Sequence, residues 1–79
     1  MLKITATPEQ IQSNNDLIDL AIERAKVKND AVLSRLMKVA PPVISKIRHG
    51  RLAVGSTLML VIHEVTGMLI SDIRRFVPR

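Results

Sequence analysis

Residues 33–50 read LSRLMKVAPPVISKIRHG, and this segment is the most informative about the architecture of the chain. Its apolar residues fall at helical spacing in two groups, which are Leu33, Leu36 and Met37, followed by Val43, Ile44 and Ile47. Each group gives a short helix one narrow buried face and leaves the other face polar. Because only residues 38–40 remain between the two helices, the spacing predicts a helix-turn-helix.

Prolines and a glycine mark the two ends of the second helix. Pro41 and Pro42 lack amide hydrogens, and only the first turn of a helix tolerates this, because the amides there have no intrahelical partner. Gly50 tolerates the left-handed backbone that ends many helices. Arg48 and His49 lie near the negative end of the helix dipole. The second helix is therefore expected to span residues 41–49.

These residues resemble the Cro/cI-like, or XRE-type, helix-turn-helix family of DNA-binding proteins, over about residues 29–73 of the chain. The matching positions are Leu33, Val39, Ile44, Ser45, Ile47 and Gly50. The resemblance implies an all-α fold, a compact five-helix lambda-repressor-like DNA-binding domain with a central helix-turn-helix. It also implies that the second helix of the motif enters the major groove while the first crosses the DNA backbone.

The chain departs from the family pattern at three positions. Ser34 stands where the family usually has alanine, Lys38 where the turn usually has glycine, and Ala40 where the second helix usually has a serine or threonine cap. If Lys38 adopts the left-handed turn conformation, it costs roughly 1 kcal/mol relative to glycine. Ala40 as the cap leaves a hydrogen bond unmade, although the two prolines remove two of the amides that need one.

The composition bounds the class of protein. The 79 residues allow one domain, expected at residues 8–79 behind an N-terminal arm at residues 1–7. The arm is either a disordered leader or a short strand that pairs with a symmetry mate. The chain has no cysteine, no secretory signal and no apolar run near the ~18 residues that span a bilayer. We therefore expect a cytoplasmic, nucleoid-associated protein without a membrane partner.

The net charge of +5 is unevenly distributed along the chain. Residues 24–51 hold eight lysines and arginines against Asp30 alone, whereas residues 1–23 hold four acidic residues against Lys3. The basic segment contains the helix-turn-helix, which indicates a surface that faces DNA phosphates. A solvated basic face without a partner is the alternative interpretation of the charge alone.

Capping residues predict the helix that precedes the motif. Thr7 and Gln10 form a capping box, so a first helix is expected from this point to about Ala25, with a break left open at residues 13–16. Asn29 is expected to cap the next helix, which is the first of the motif.

Two helices are expected after the motif. A fourth begins at a cap, Ser56 or Thr57, and ends at Gly67, and a fifth runs from a cap at Ser71 to Phe76. The fourth helix contains five consecutive apolar residues, LMLVI, so it is expected to be covered nearly all round. We therefore expect it at the centre of the domain.

The open face of the second motif helix carries the residues expected to read bases. Lys46 is the leading candidate, because an ammonium donates to the two major-groove acceptors of guanine. Ser45 is able to reach a base or a phosphate, Pro42 and Val43 are able to rest against a thymine methyl, and His49 is expected beside a base or a phosphate. For Lys46 the alternative is a solvated surface lysine.

Six further polar residues in and beside the motif are assigned to DNA phosphates. They are Lys28, Asn29, Arg35, Lys38, Arg48 and Arg51. Arg51 follows the motif, and the sequence leaves open whether it approaches a phosphate or a narrow minor groove.

The apolar C-terminal residues predict a homodimer interface, with core packing as the alternative. These residues are Met68, Ile70, Ile73, Phe76 and Val77. The chain is thus expected to be a transcriptional regulator, acting as a repressor that binds a near-palindromic operator of double-stranded DNA as a homodimer. An antitoxin-like or adaptor module, in which the same scaffold binds a protein and DNA binding is secondary or lost, is the alternative.

The sequence offers little for catalysis. His63 and Glu64 lack the second histidine that a zinc-protease helix needs, and no cluster has metal-ligand spacing. The three glycines form no phosphate-cradling loop, and no serine stands in an evident triad. We therefore expect neither an enzyme nor a cofactor or metal.

Overall fold

Five helices make up the part of the chain, residues 7–77, that the computed structural model describes. They are α1 (Pro8–Ala25), α2 (Asp30–Met37), α3 (Pro41–Arg48), α4 (Ser56–Thr66) and α5 (Ile70–Arg74). No strand occurs within residues 7–77, so the predicted all-α fold with five helices is confirmed there. Apart from Thr7, the N-terminal arm lies outside the described residues.

Helix α1 begins at the predicted capping box. The Gln10 amide donates to Thr7 Oγ1 at 3.2 Å, and the Thr7 amide donates to Gln10 Oε1 at 2.9 Å. The helix runs without a break through residues 13–16. Asn14 Nδ2 donates to a carbonyl of α3, and Asn15 Nδ2 donates both to a carbonyl of α3 and to the Ile11 carbonyl one turn earlier in α1, at 2.9 Å.

The corner between α2 and α3 follows the sequence prediction. Asn29 caps α2, with its Oδ1 accepting from the Val32 amide at 3.0 Å. Lys38 ends α2 in the left-handed conformation at φ 59°, and Ala40 precedes α3 without a side-chain cap. Helix α3 ends at Arg48, one residue earlier than predicted, and the chain then turns away at Gly50 with φ 73°.

The predicted caps of the last two helices are wrong. Gly55, not Ser56 or Thr57, is the N-cap of α4, and Leu69, not Ser71, is the N-cap of α5, which ends before Phe76. Neither cap makes a side-chain hydrogen bond, whereas the hydroxyls of Ser56, Thr57 and Ser71 are groups that commonly supply one, and the prediction followed them.

Two side chains of α4 fix the start of α5. The Thr66 hydroxyl accepts from the Met68 amide at 3.1 Å, and His63 Nδ1 donates to the Met68 carbonyl at 2.6 Å. The loop is therefore held against the end of α4, and α5 begins directly after it at Ile70.

The core forms around α1 and not around α4. Helix α1 packs on α2, α3 and α4, and it buries Leu17, Ile18 and Ala21 fully. Of the apolar run in α4, Ile62 alone is buried, while Leu60 keeps 55% of its surface exposed. The prediction of a central α4 is wrong, because α4 packs through one face and the other has no element over it within residues 7–77.

Two residues of the predicted dimer interface belong to the core. Met68 and Ile73 are buried within the single chain, so they are not available to a second copy. This corrects the prediction, and the physical reason is that the loop before α5 folds Met68 inward while α5 packs on α4. Ile70, Phe76 and Val77 are half-buried against the same core.

Candidate nucleic-acid interface

The outward face of α3 is open to solvent. Ile44 and Ile47 are buried on the inner face, whereas Ser45 and Lys46 are exposed on the outer face. This division follows from helical spacing, since residues three and four apart share a face. The structure therefore places the leading base-reading candidate on a surface that a partner is able to reach.

The remaining base-reading candidates divide between the open face and the core. Pro42 and His49 are exposed, like Ser45 and Lys46. Val43 is half-buried and packs against the core, so it offers a partner less surface than the sequence suggested.

The ring of His49 is held by the last turn of α3. Its Nδ1 lies 2.8 Å from the Ser45 carbonyl oxygen and 3.4 Å from Ser45 Oγ. A carbonyl only accepts, so Nδ1 carries the hydrogen and donates it. In the neutral ring Nε2 is then the acceptor. Nothing in the sequence indicates this contact, which orients a side chain on the open face.

Five of the six predicted phosphate-binding residues are exposed, and they lie just before α2, on α2, or in the turns on either side of α3. They are Lys28, Asn29, Arg35, Lys38 and Arg51. The four cations among them, and Lys46, take part in no ion pair within residues 7–77. Asn29 uses its Oδ1 for the α2 cap, which leaves its amide hydrogens free to donate. The geometry is compatible with their predicted role.

Arg48 does not fit the phosphate role predicted for it. Its Nε donates to Asp30 Oδ2 at 2.7 Å and its Nη2 to Asp30 Oδ1 at 2.9 Å, which is a two-pronged pair. Nη2 also donates to Asp19 Oδ1 at 2.8 Å, and Nη1 donates to Asn15 Oδ1 at 2.7 Å. The guanidinium is thus engaged by the protein itself, and this corrects the prediction.

The surroundings of Arg48 keep it cationic. Hydrogen bonding to Asp30 is the largest cause that raises the pKa of Arg48, and Asp19 adds to it, while burial acts in the opposite direction. The side chain is 21% exposed. Arg48 therefore remains charged, with two carboxylates beside it.

Two asparagines of α1 bind the end of α3, a role that the sequence did not reveal. Asn14 Nδ2 donates to the Ile47 carbonyl at 3.1 Å, and Asn15 Nδ2 donates to the Arg48 carbonyl at 2.9 Å. The usable signal was the position of Asn14, which shares the buried stripe of α1 with Leu17 and Ile18. A buried amide needs a hydrogen-bond partner.

Five side chains from three different helices hold the last turn of α3, and we call them the α3 clamp. They are Asn14, Asn15, Asp19, Asp30 and Arg48.

Neither a metal cluster nor a membrane span is found in the described part of the chain. Within residues 7–77 no group of three or more His, Asp or Glu side chains is arranged to hold a metal ion. No helix there combines the length and the apolar character needed to cross a bilayer. Comparisons of the chain with protein families, with curated proteins and with solved structures find no match.

Proposed function

We propose that this chain is a sequence-specific DNA-binding transcriptional regulator with a lambda-repressor-like domain, and that α3 lies in the major groove. The observation that carries the proposal is the exposed outer face of α3, with Lys46 on it and unpaired cations on α2 and in the flanking turns. An α-helix fits the major groove, and flanking cations neutralise phosphates.

The reading mode follows from the side chains of this face. Lys46 donates to guanine O6 and N7, and His49 presents the Nε2 edge of its ring, because its Nδ1 is bound to the Ser45 carbonyl. Pro41 and Pro42 at the leading end of α3 have no donor, so methyl contacts and DNA shape take a larger share of specificity there. We therefore expect a short set of direct base contacts.

Repression by a homodimer is the mechanism we propose. Two copies place their recognition helices about 34 Å apart on successive turns of a near-palindromic operator. The interface is expected on the C-terminal side, where Leu69 is 61% exposed and Ile70, Phe76 and Val77 are half-buried. Occupancy of an operator that overlaps a promoter then blocks transcription.

Selection of bound duplexes from a random pool tests the proposal, and a recovered inverted repeat is the expected result. Affinity for that duplex should fall steeply with salt, with a log–log slope of about 0.9 per phosphate contacted. We expect Lys46→Ala to lose about 1–3 kcal/mol on the selected duplex and much less on random DNA.

Arg74→Ala is the control for this experiment. Arg74 is an exposed cation on α5, away from the helix-turn-helix, so its loss should change neither the selectivity nor the salt slope. Equal losses on selected and random duplexes for Lys46→Ala contradict its base-reading role. A wild-type chain that recovers no common sequence contradicts the proposed function.

A protein-interaction module, antitoxin-like or an adaptor, is the second candidate. It is favoured by the exposed leucines on the α4–α5 side, Leu60 and Leu69. In that case substitutions at these leucines abolish a hetero-complex, whereas Lys46→Ala and Arg51→Ala leave it unchanged.

A further inference from the structure

The end of α3 is held by polar contacts from two other helices. The last carbonyls of a helix have no intrahelical partner and need one from elsewhere. Here the Ile47 carbonyl accepts from Asn14 of α1 as well as from the Gly50 amide, and the Arg48 carbonyl accepts from Asn15 of α1. The Arg48 side chain returns from α3 to Asp30 at the start of α2 and to Asp19 on α1.

Both ends of α3 are therefore fixed by different means. Pro41 and Pro42 restrict the backbone at the first turn, and the α3 clamp holds the last turn. A helix of eight residues is marginal by itself, so such contacts decide how it sits on the domain.

We infer that the α3 clamp positions the recognition helix for base reading, through Arg48 and without touching DNA. This inference rests on the proposed function, and it deepens it by separating two arginines that the sequence treats alike. Arg48 is a positioning residue, whereas Arg51 is a phosphate-binding residue. The difference is measurable, because positioning affects selectivity and phosphate binding affects the response to salt.

The charge of the clamp argues against direct phosphate binding. It holds one guanidinium against two carboxylates, so its net charge is negative. Asp30 engages two nitrogens of Arg48 in the fork geometry that arginine would otherwise offer to a phosphate. A DNA phosphate at this position would meet two carboxylates and a guanidinium that is already paired.

The test compares Arg48→Met with Arg51→Met as a matched control, on a duplex selected with the wild-type chain and on random DNA. We expect Arg48→Met to lose about tenfold in affinity for the selected duplex, comparable to one base contact, with little change on random DNA. Its salt slope should equal that of the wild type. Arg51→Met should weaken both duplexes and reduce the salt slope by about 0.9.

Arg48→Met is expected to fold, because the carboxylates it leaves are not deeply buried. The Asp19 side chain is 67% exposed and that of Asp30 is 41% exposed. Arg48→Lys is the second variant. A lysine keeps the charge but not the fork, so it should also lose selectivity. Full retention of selectivity by Arg48→Lys overturns the geometric role of the clamp.

Amide hydrogen exchange in the free protein gives a readout that does not need DNA. We expect the amides of α3 to exchange faster in Arg48→Met than in wild type, and those of α3 in Arg51→Met to stay protected. Unchanged protection of α3 in Arg48→Met overturns the inference. So does a salt slope reduced by about 0.9 together with equal losses on both duplexes, since that is the signature of a phosphate contact.

Failure of the proposed function gives a different result. If the wild-type chain binds no duplex at any salt concentration, DNA binding is wrong, and the exchange of the α3 amides alone then decides whether the clamp holds the helix.

Discussion

Two lysines hold the left-handed backbone that ends a helix. Lys26 ends α1 at φ 60°, and Lys38 ends α2 at φ 59°. In each case the lysine amide donates to a carbonyl of the last turn, Glu23 at 3.2 Å and Arg35 at 3.1 Å. A residue with a side chain pays roughly 1 kcal/mol relative to glycine in this conformation. The strain is therefore present twice, once inside the helix-turn-helix and once outside it.

Replacing each of these lysines by glycine separates stability from DNA binding. We expect Lys26→Gly and Lys38→Gly each to raise the free energy of unfolding by up to about 1 kcal/mol. The gain is smaller to the extent that glycine has more conformational entropy in the unfolded chain. Urea denaturation measures this. Lys38→Gly alone should also reduce the salt slope of duplex binding, because Lys38 lies beside α3. A similar reduction in Lys26→Gly contradicts the assignment of Lys38 to a phosphate.

Lys46 and Arg48 show what the sequence decides for single residues. Helical spacing correctly predicts that Lys46 lies on the open face of α3. The same reasoning assigned Arg48 to DNA, although its partners Asp30 and Asp19 hold it within the domain. These partners lie 18 and 29 residues earlier in the chain. Charge type and local spacing do not report such distant pairs, so the clamp could not be predicted.

At the scale of the elements, the sequence predicts a helix well where a local signal marks its end. The capping box at Thr7, the Asn29 cap and the prolines at the start of α3 all act within a few residues, and all are observed. Gly55 and Leu69 cap α4 and α5 by backbone conformation alone. The predicted cap of α4, Ser56 or Thr57, lies one or two residues too late, and the predicted cap of α5, Ser71, lies two residues too late.

The sequence did not predict which face of α4 is buried, and the reason is a different one. Its apolar run predicts burial all round, but burial depends on which elements arrive from elsewhere in the chain. Helix α4 packs on α1, α2 and α5 through the face of Ile62, and Leu60 points away from that face. Hydrophobicity therefore predicted that α4 belongs to the domain, and it did not predict which side would be covered.

Alanine substitutions on the two faces of α4 test this packing. Ile62→Ala removes a fully buried side chain and leaves a cavity, so we expect a loss of about 2–5 kcal/mol in the free energy of unfolding. Leu60→Ala should change it by no more than about 0.5 kcal/mol. Urea denaturation of both variants gives the comparison. A Leu60→Ala loss as large as that of Ile62→Ala contradicts the one-sided packing of α4.

For the whole molecule, the distribution of charge separates two sides. Within residues 7–77, five cations without an ion pair lie on α2, on α3 and in the turns next to these helices, whereas the α4–α5 side carries exposed leucines and charges of both signs. The described part of one copy measures 38 × 25 × 19 Å and contains one α3, the helix that we propose for base reading. A second copy is needed to place another such helix one DNA turn away. Within residues 7–77 the α4–α5 side carries two exposed leucines, Leu60 and Leu69, that are available for that contact without covering α3.

Leu69→Gln tests the two-fold contact. Leu69 is exposed at the start of α5, so we expect the variant to fold normally. In a two-fold interface each copy contributes this residue, so the substitution removes two leucine side chains from the contact. Burial of one leucine is worth about 1.5–3 kcal/mol. We therefore expect the dimer Kd, measured by sedimentation without DNA, to rise at least about tenfold. Affinity for an inverted repeat should fall towards that for a single half-site.

Leu36→Gln is the matched control for that variant, since Leu36 is also an exposed leucine, at 43%, but lies on α2. It should leave the dimer Kd unchanged, because the proposed function puts α2 on the side that faces DNA. An equal effect of both substitutions indicates a general change in solubility and not an interface. If wild type stays monomeric at concentrations that saturate an inverted repeat, the two copies meet only on DNA. In that case Leu69→Gln should lower the cooperativity between half-sites and leave the affinity for a single half-site unchanged. Unchanged cooperativity then rules out Leu69 as a dimer contact.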